Sequence, residues 1–409
     1  MERVDVRALL ALPVTCGVLL GAPAGAAQEP GILPHHAEVV VEAAVLGTPS
    51  SLVVGPNGTL VVADPSSGLV RISETGGDNL RPLEMDAPSE GVFPHRLGWS
   101  GGRIWVLDRP PTTAVFIDGR GTVVSRTDVD LPGRAGAVQG LRVLGIRADE
   151  NLVVETAASG LSLALADPRV RLEELEEWFP PQIVPTGAVD ELPVWLTSPA
   201  GSVLDTIATL KQRHRVGVAR FSSDAVAAGE ARITQFSQPF ADHDVVAVDP
   251  ASNRLAVVDR MVDETRSETH YRVRQIQSDG ELLWDHAYEY EPVPLDPEVV
   301  RGELNRLAGD SEETRALRVA ALRDRVYLPA WLPPVTSVRL GVDGWTWVRR
   351  EAGDDASHVR WDILSPEGRR LGAVRLPSAL TVWTVRGLEA WATAESATGV
   401  HLWRITVAP

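Results

Sequence analysis

Two histidines stand beside charged groups at matching places in the chain: His95 precedes Arg96, and His243 lies between Asp242 and Asp244. Imidazole changes charge near neutral pH and ligates divalent metals, and carboxylates do the same work beside it. Such a set can hold a metal ion, exchange protons with a substrate, or solvate a polar channel; the last reading is preferred. Ser50 and Thr336 occupy the corresponding places elsewhere, and Trp178 and Trp331 fall in long insertions where an aromatic face could meet a ligand. No residue is assigned as catalytic, no metal ligands are assigned and no cofactor is expected; a divalent metal belongs only to the alternative reading. The chain carries no GxSxG elbow, HExxH helix, phosphate-binding Walker loop or GxGxxG after a strand. Asp128-Val-Asp130-Leu-Pro132-Gly133 begins like a calcium loop, but Pro132 replaces a ligand and Gln139 stands where the bidentate glutamate belongs.

Composition narrows the partners. The 409 residues are 44% hydrophobic, with 39 basic against 55 acidic side chains and a net charge of −16. A phosphate backbone repels that excess, so nucleic acid is excluded as a partner, leaving an unknown protein or small molecule. Residues 1–27 read as an export signal: Arg3 and Arg7 precede the apolar run Ala8–Leu20, and Ala24-Gly25-Ala26 suits cleavage. That run is shorter than the roughly 20 residues that span a bilayer, so the mature chain is expected to have no transmembrane segment. Val14-Thr15 before Cys16, the only cysteine, argue against lipid anchoring. A periplasmic or secreted protein without disulfides follows.

A repeated unit positions the candidates. An apolar strand, a tight Gly/Asn/Asp turn and a second apolar strand recur as Ser51-LVVGPNGTLVVA-Asp64, Leu97-GWSGGRIWVL-Asp108, Leu144-GIRADENLVVE-Thr156, Val245-VAVDPASNRLAVV-Asp259, Val338-RLGVDGWTWV-Arg349 and Trp383-TVRGLEAWA-Thr393. A third strand follows each pair, and a fourth follows five of them. The count predicts an all-β, six-bladed propeller with strands a to d in each blade. The last blade runs out at Pro409, so the apolar strand beginning at Ala37 is expected to complete it and close the ring. The propeller is placed at residues 36–409. Asp64, Asp108 and Asp259 end strand b in three blades and are expected to cap the following turns. The tryptophans in the strands are expected to pack between blades.

The pattern resembles the bacterial six-bladed, NHL/TolB-like β-propellers, mostly uncharacterised. Arg254-LAVVD, Val342-DGWTWVR and Arg360-WDILSPEGRRLGAVRLP carry the closest likeness, to a secreted group. The resemblance implies the fold and leaves function open. Lactonase-like propellers of similar fold hold calcium with Glu, Asn and Asp on inner strands; the inner strands here read as apolar apart from Arg142 and Arg339.

Residues just before each strand a are expected to line the mouth of the central channel, which gathers Ser50, His95, Arg96, Asp242, His243, Asp244 and Thr336, with Trp331 near it. The long insertions, at about 157–192, 211–243, 260–270 and 286–335, all fall in b–c loops or d-to-a crossings, so they should crowd one face. The last, with its core at 296–326, reads as two helices: Asp296-Pro297 caps the first, Gly309 ends it, and Asp310 with Glu313 caps the second. Arg171–Trp178 reads as another helical turn. The function expected is a non-catalytic binding scaffold recognising a protein or small ligand at the insertion-rich face. The alternative is a metal-assisted hydrolase or lyase at the channel mouth.

Overall fold

Apolar residues in unbroken runs, such as Leu60–Ala63 and Ile104–Leu107, suit strands buried on both faces, and the structure buries them so. The computed structural model describes residues 31–41, 46–67, 69–73, 80–83, 94–108, 113–130, 140–157, 191–211, 216–221, 232–241, 243–260, 269–309, 312–323, 325–351 and 357–409. The expected export signal, the turn Arg171–Trp178 and the cap residue Asp310 lie outside them.

After β1 (His35–Val41), blade 1 is β2 (Ser51–Val54), β3 (Leu60–Asp64), β4 (Leu69–Ser73) and β5 (Arg81–Pro82). Blade 2 is β6 (Pro94–Ser100), β7 (Arg103–Asp108), β8 (Thr113–Ile117) and β9 (Val123–Asp128). Blade 3 is β10 (Gly140–Ile146), β11 (Leu152–Ala157), β12 (Glu191–Thr197) and β13 (Val203–Lys211), followed by a hairpin of β14 (Val216–Phe221) and β15 (Arg232–Ser237). Blade 4 is β16 (Val245–Val248), β17 (Arg254–Asp259), β18 (His270–Gln277) and β19 (Leu282–Glu289), followed by α1 (Pro297–Ala308) and α2 (Glu312–Arg323). Blade 5 is β20 (Val335–Leu340), β21 (Thr346–Arg350), β22 (His358–Leu364) and β23 (Arg370–Pro377). Blade 6 is β24 (Thr381–Arg386), β25 (Glu389–Ser396) and β26 (Gly399–Val407), completed by β1.

The first strands touch in the order β2, β6, β10, β16, β20, β24, and β24 returns to β2, so the six sheets form a closed ring. Closure comes from β1, antiparallel to β26 with His35 opposite Val407 and Val41 opposite Leu402. Six apolar clusters fill the six boundaries between blades. Val61 and Ala63 of β3 face blade 2 with Leu97 and Ile104, whereas Leu60 and Val62 face blade 6 with Trp391 and Leu402. Alternation along a strand thus serves two neighbours at once, which is why both parities are apolar. The strand tryptophans lie in these boundaries: Trp105 between blades 2 and 3, Trp284 between 4 and 5, Trp347 and Trp361 between 5 and 6. Gly98 is required by one of them, since a Cβ there would stand 2.3 Å from the Trp105 ring.

The helical insertion follows its caps. Asp296 Oδ1 accepts the Glu298 N–H at 2.7 Å, and Gly309 ends α1 at φ 75°, a left-handed conformation open to glycine. Leu304, Ala308 and Leu322 pack with Phe236 and Phe240, which follow blade 3. The Gln238 amide ties the two together, donating to the Arg325 carbonyl at 2.8 Å and accepting the Tyr327 N–H at 2.9 Å. Two of the four long insertions therefore share one small core, and both leave from d-to-a crossings. Val299 and Leu317, at helical spacing in the sequence, stay exposed, because the contact stripe runs along the other side.

Candidate functional site

Inner strands of neighbouring blades do not form ladders with one another, so their free backbone groups need other partners. β-Bulges make the need sharper, because each leaves a residue out of the pairing. Four inner strands carry one: at Pro94/Arg96 in β6, Val143/Gly145 in β10, Val335/Ser337 in β20 and Val382/Thr384 in β24. Side chains from the preceding blade meet three of them. Ser50 Oγ donates to the Pro94 carbonyl at 2.7 Å, Arg96 donates to the Val143 carbonyl, and Arg339 Nε donates to the Val382 carbonyl at 2.8 Å.

Together the inner strands enclose a cavity of about 690 Å³. Its floor is drawn shut on the side of the a–b turns, where the Trp99 N–H reaches past blade 3 to the Pro250 carbonyl in blade 4 at 2.6 Å. This cup runs from that floor to the end where strands a begin, where Ser50 and His95 line it. That is also the side from which the d-to-a crossings and b–c loops leave, the side of the helical insertion.

Ser50, His95 and Arg96 line the cup, joined by Arg142, Arg339 and Asp249. His95 is exposed in β6, and Asp108 ends β7 opposite Pro94. The other candidates sit elsewhere. Asp244 is buried beside the end of β13, its Oδ2 accepting the Lys211 N–H at 2.9 Å, and half-buried His243 precedes it outside the cup lining. Trp331 bridges Pro294 next to the helical insertion, and Thr336 is an exposed bulge residue; neither lines the cup. Trp178 and Asp242 lie outside the described residues. Among the described residues no three His, Cys, Asp or Glu side chains come together as a metal site would require.

The structure corrects where two inner strands begin. His95, Arg96 and Thr336 were placed just before strand a, yet β6 begins at Pro94 and β20 at Val335, so all three lie inside inner strands at bulges. Consequently three arginines of the inner strands line the cup, Arg96 as well as Arg142 and Arg339. Trp331, expected near the central mouth, forms a backbone bridge with Pro294 and is not part of the cup lining. Of the strand-ending aspartates, Asp64 caps its turn, accepting from Ser66 Oγ at 2.5 Å; Asp259 pairs with Lys211 at 2.7 Å, and the turn it was expected to cap lies outside the described residues.

Burial sets the charges. Desolvation pushes the Arg96 and Arg339 guanidiniums down to about 10, helped by Arg142 at the first and Arg349 at the second. Both remain cationic at neutral pH. Arg142 is paired with Glu155, which is buried, its Nε at 2.8 Å. Asp249 at the floor is pushed up to about 7 by desolvation, against the Asn253 and Arg254 groups that favour its charge. Asp244 also rises to about 7, by desolvation and the nearby Asp259. Arg142 and Arg339 were visible in the sequence as cations in apolar strands, but Asp249 reads there as an ordinary turn residue.

The raised carboxyls carry a pH prediction. The folded protein binds more protons at Asp249 and Asp244 than the unfolded chain between about pH 4 and pH 7, so their contribution to stability falls through that window as pH rises and levels off above it. Asp249→Asn keeps an oxygen for the Asn253 N–H and removes the ionisation. Urea unfolding should find it close to the native protein near pH 4 and more stable by about 4 kcal/mol at pH 8. Equal midpoints at pH 8 would show that Asp249 titrates normally.

No family model matches the chain, and no curated protein matches it. Solved structures do. A gluconolactonase from Xanthomonas campestris is 13% identical over 91% of this chain and 90% of its own, with a TM-score of 0.42. Virginiamycin B lyase from Staphylococcus aureus is 10% identical over 92% and 100%, at 0.38, and a member of the DUF4221 family from Bacteroides vulgatus is 9% identical over 92% and 97%, at 0.41. Likeness at this level transfers neither activity nor ligand, and the blades identify the fold by themselves: this is a six-bladed β-propeller.

Proposed function

We propose that this protein is an exported, non-catalytic binding propeller of the bacterial NHL/TolB-like kind, and that it holds a small ligand in the central cup. The supporting observation is the cup itself: about 690 Å³, floored by the Trp99–Pro250 hydrogen bond and walled by inner strands from all six blades. That volume lies within the range of small-molecule sites, which are concave, preformed and supplied with a few polar groups. Its end opposite the floor lies on the insertion-bearing side, where recognition is expected. The metal-assisted alternative needs His95 and His243 around one ion, and only His95 lines the cup.

Filling the cup tests the reading. Val246 is half-buried, lines the cup and lies on an unbulged strand, so Val246→Trp adds bulk there with the ring intact. A ligand at a hundred times its Kd stabilises a protein by about 2.7 kcal/mol. Thermal melts against a metabolite library should find compounds that raise the native melting temperature and leave the Val246→Trp variant unmoved. Equal shifts in both proteins, or none in the native one, would overturn the assignment.

A further inference from the structure

The chain carries a net charge of −16, yet the inner strands bring three arginines to the wall of the central cup. Their arrangement is not symmetric. Arg142 faces Glu155 and is neutralised there. Arg96 on blade 2 and Arg339 on blade 5 stand on opposite sides of a six-membered ring. Among the described residues, the hydrogen bonds of Arg339 go only to neutral oxygens: the Val382 and Val338 carbonyls and Ser337 Oγ. Arg96 donates to the Val143 carbonyl, and Glu155, already bonded to Arg142, is the carboxylate that acts on its charge.

A guanidinium taken out of water without a counter-charge is costly, and both groups show that cost in their lowered proton affinity. Bonding a bulge carbonyl does not by itself need a charge; a glutamine amide could donate there. It does fix the guanidinium plane, and of the five N–H donors in its rigid fork Arg339 keeps the two on Nη2, and Arg96 more, for something else. The carboxylates facing the cup do not cancel the pair. Asp108 lies at the mouth, and Asp249 at the floor is held half-protonated near neutral pH. His95 at the mouth adds positive charge when protonated.

We propose that the cup binds a small polyvalent oxyanion, a molecule with at least two carboxylate or phosphate groups, clamped between Arg96 and Arg339. This rests on the cup being the ligand site and names the chemistry it selects. Two separated cations across one cavity favour a ligand with charge at both ends over a monovalent one, and bidentate guanidinium contacts suit both kinds of oxyanion.

The test uses the full mature protein at constant ionic strength, with calorimetry and thermal melts against citrate, inorganic pyrophosphate, acetate and glucose. Citrate or pyrophosphate should bind one to one and at least tenfold more tightly than acetate, with glucose silent. The stronger of the two tells a polycarboxylate from a phosphate ligand. Arg339→Gln and Arg96→Gln each keep a donor for the bulge carbonyl, and each should weaken that binding tenfold or more, about 1.4 kcal/mol, with little change in the unliganded melting temperature. Should either fail to fold, the Val246→Trp variant supplies the same reading, since binding in the cup must disappear there. Polyvalent anions binding no better than acetate, or binding unchanged in the glutamine variants, would overturn the proposal. If neutral compounds bind and Val246→Trp blocks them while citrate and pyrophosphate do nothing, the anion assignment fails and the cup remains the site. If Val246→Trp blocks nothing, both fail.

Discussion

Asp362→Ala is expected to lower the unfolding free energy by about 3–5 kcal/mol, the cost of removing one partner from a buried ionic cluster. Asp362 is fully buried at the boundary of blades 4 and 5. Its Oδ2 accepts from Tyr271 Oη at 2.8 Å and Arg350 Nη1 at 3.0 Å, and its Oδ1 from Arg370 Nη2 at 2.9 Å and Arg360 Nε at 3.2 Å. One carboxylate thus ties β18 of blade 4 to β21, β22 and β23 of blade 5. Arg350 also lies over the Tyr271 and Tyr290 rings, at 5.2 and 5.5 Å. Alanine would leave three guanidiniums facing one another without an anion and a buried phenol without an acceptor. Tyr271→Phe removes only one hydrogen bond and should cost about 1 kcal/mol. Urea unfolding of both variants checks the ordering. A loss below about 1 kcal/mol for Asp362→Ala would show that the arginines find other partners and that the cluster is not what joins these blades.

Removing β1 should have the larger effect. A chain starting at Gly47 loses the ladder from His35 to Val41, the Glu38–Arg404 ion pair and the burial of Val41 and Leu46 against Trp391 and Leu402. It also loses the segment before β1, where the Leu33 N–H donates to the Ala373 carbonyl and the Ala373 N–H donates to the Gly31 carbonyl, each at 2.7 Å. Two large apolar side chains contribute about 1.5–3 kcal/mol each, and several hydrogen bonds about 1 kcal/mol each. The sum is comparable with the whole stability of a typical domain, about 5–15 kcal/mol. The truncated chain should fail to melt cooperatively and should associate through the bared edge of β26. A synthetic peptide spanning residues 31–46 added in trans should restore the cooperative melt. A truncated protein that unfolds within a few degrees of the native one would mean that the ring is held by blade packing alone.

The blades were legible because their signals are local. Turn residues such as Gly58 and Gly344, each at positive φ, punctuate apolar strands whose alternate residues face two neighbours. The closing strand was legible because a final blade of three strands and an odd strand near the start have one common solution. The caps at Asp296 and Gly309 were likewise local, and the helix appeared between them. The cup was harder to read. His95, Arg96 and Thr336 lie beside bulges, and an extra residue in one strand is defined only by what its partner strand does. Sequence alternation therefore placed the start of β6 and of β20 too late. Asp244 and Trp331 were expected near the mouth from their distance to strand a; neither lines the cup, and their partners, the Lys211 N–H and Pro294, come from segments distant in sequence.

The order of residues alone dictated how many sheets form, how the circle is closed and which insertions leave on the same side, since each follows from patterns a few residues long and from which strand precedes which. What fills the centre depended on folding in three dimensions. Arg96 and Arg339 are far apart along the chain and are set face to face only when six strands are wound into a ring. Their charge acquires meaning there because burial in the wall strips them of hydration while they line one cavity.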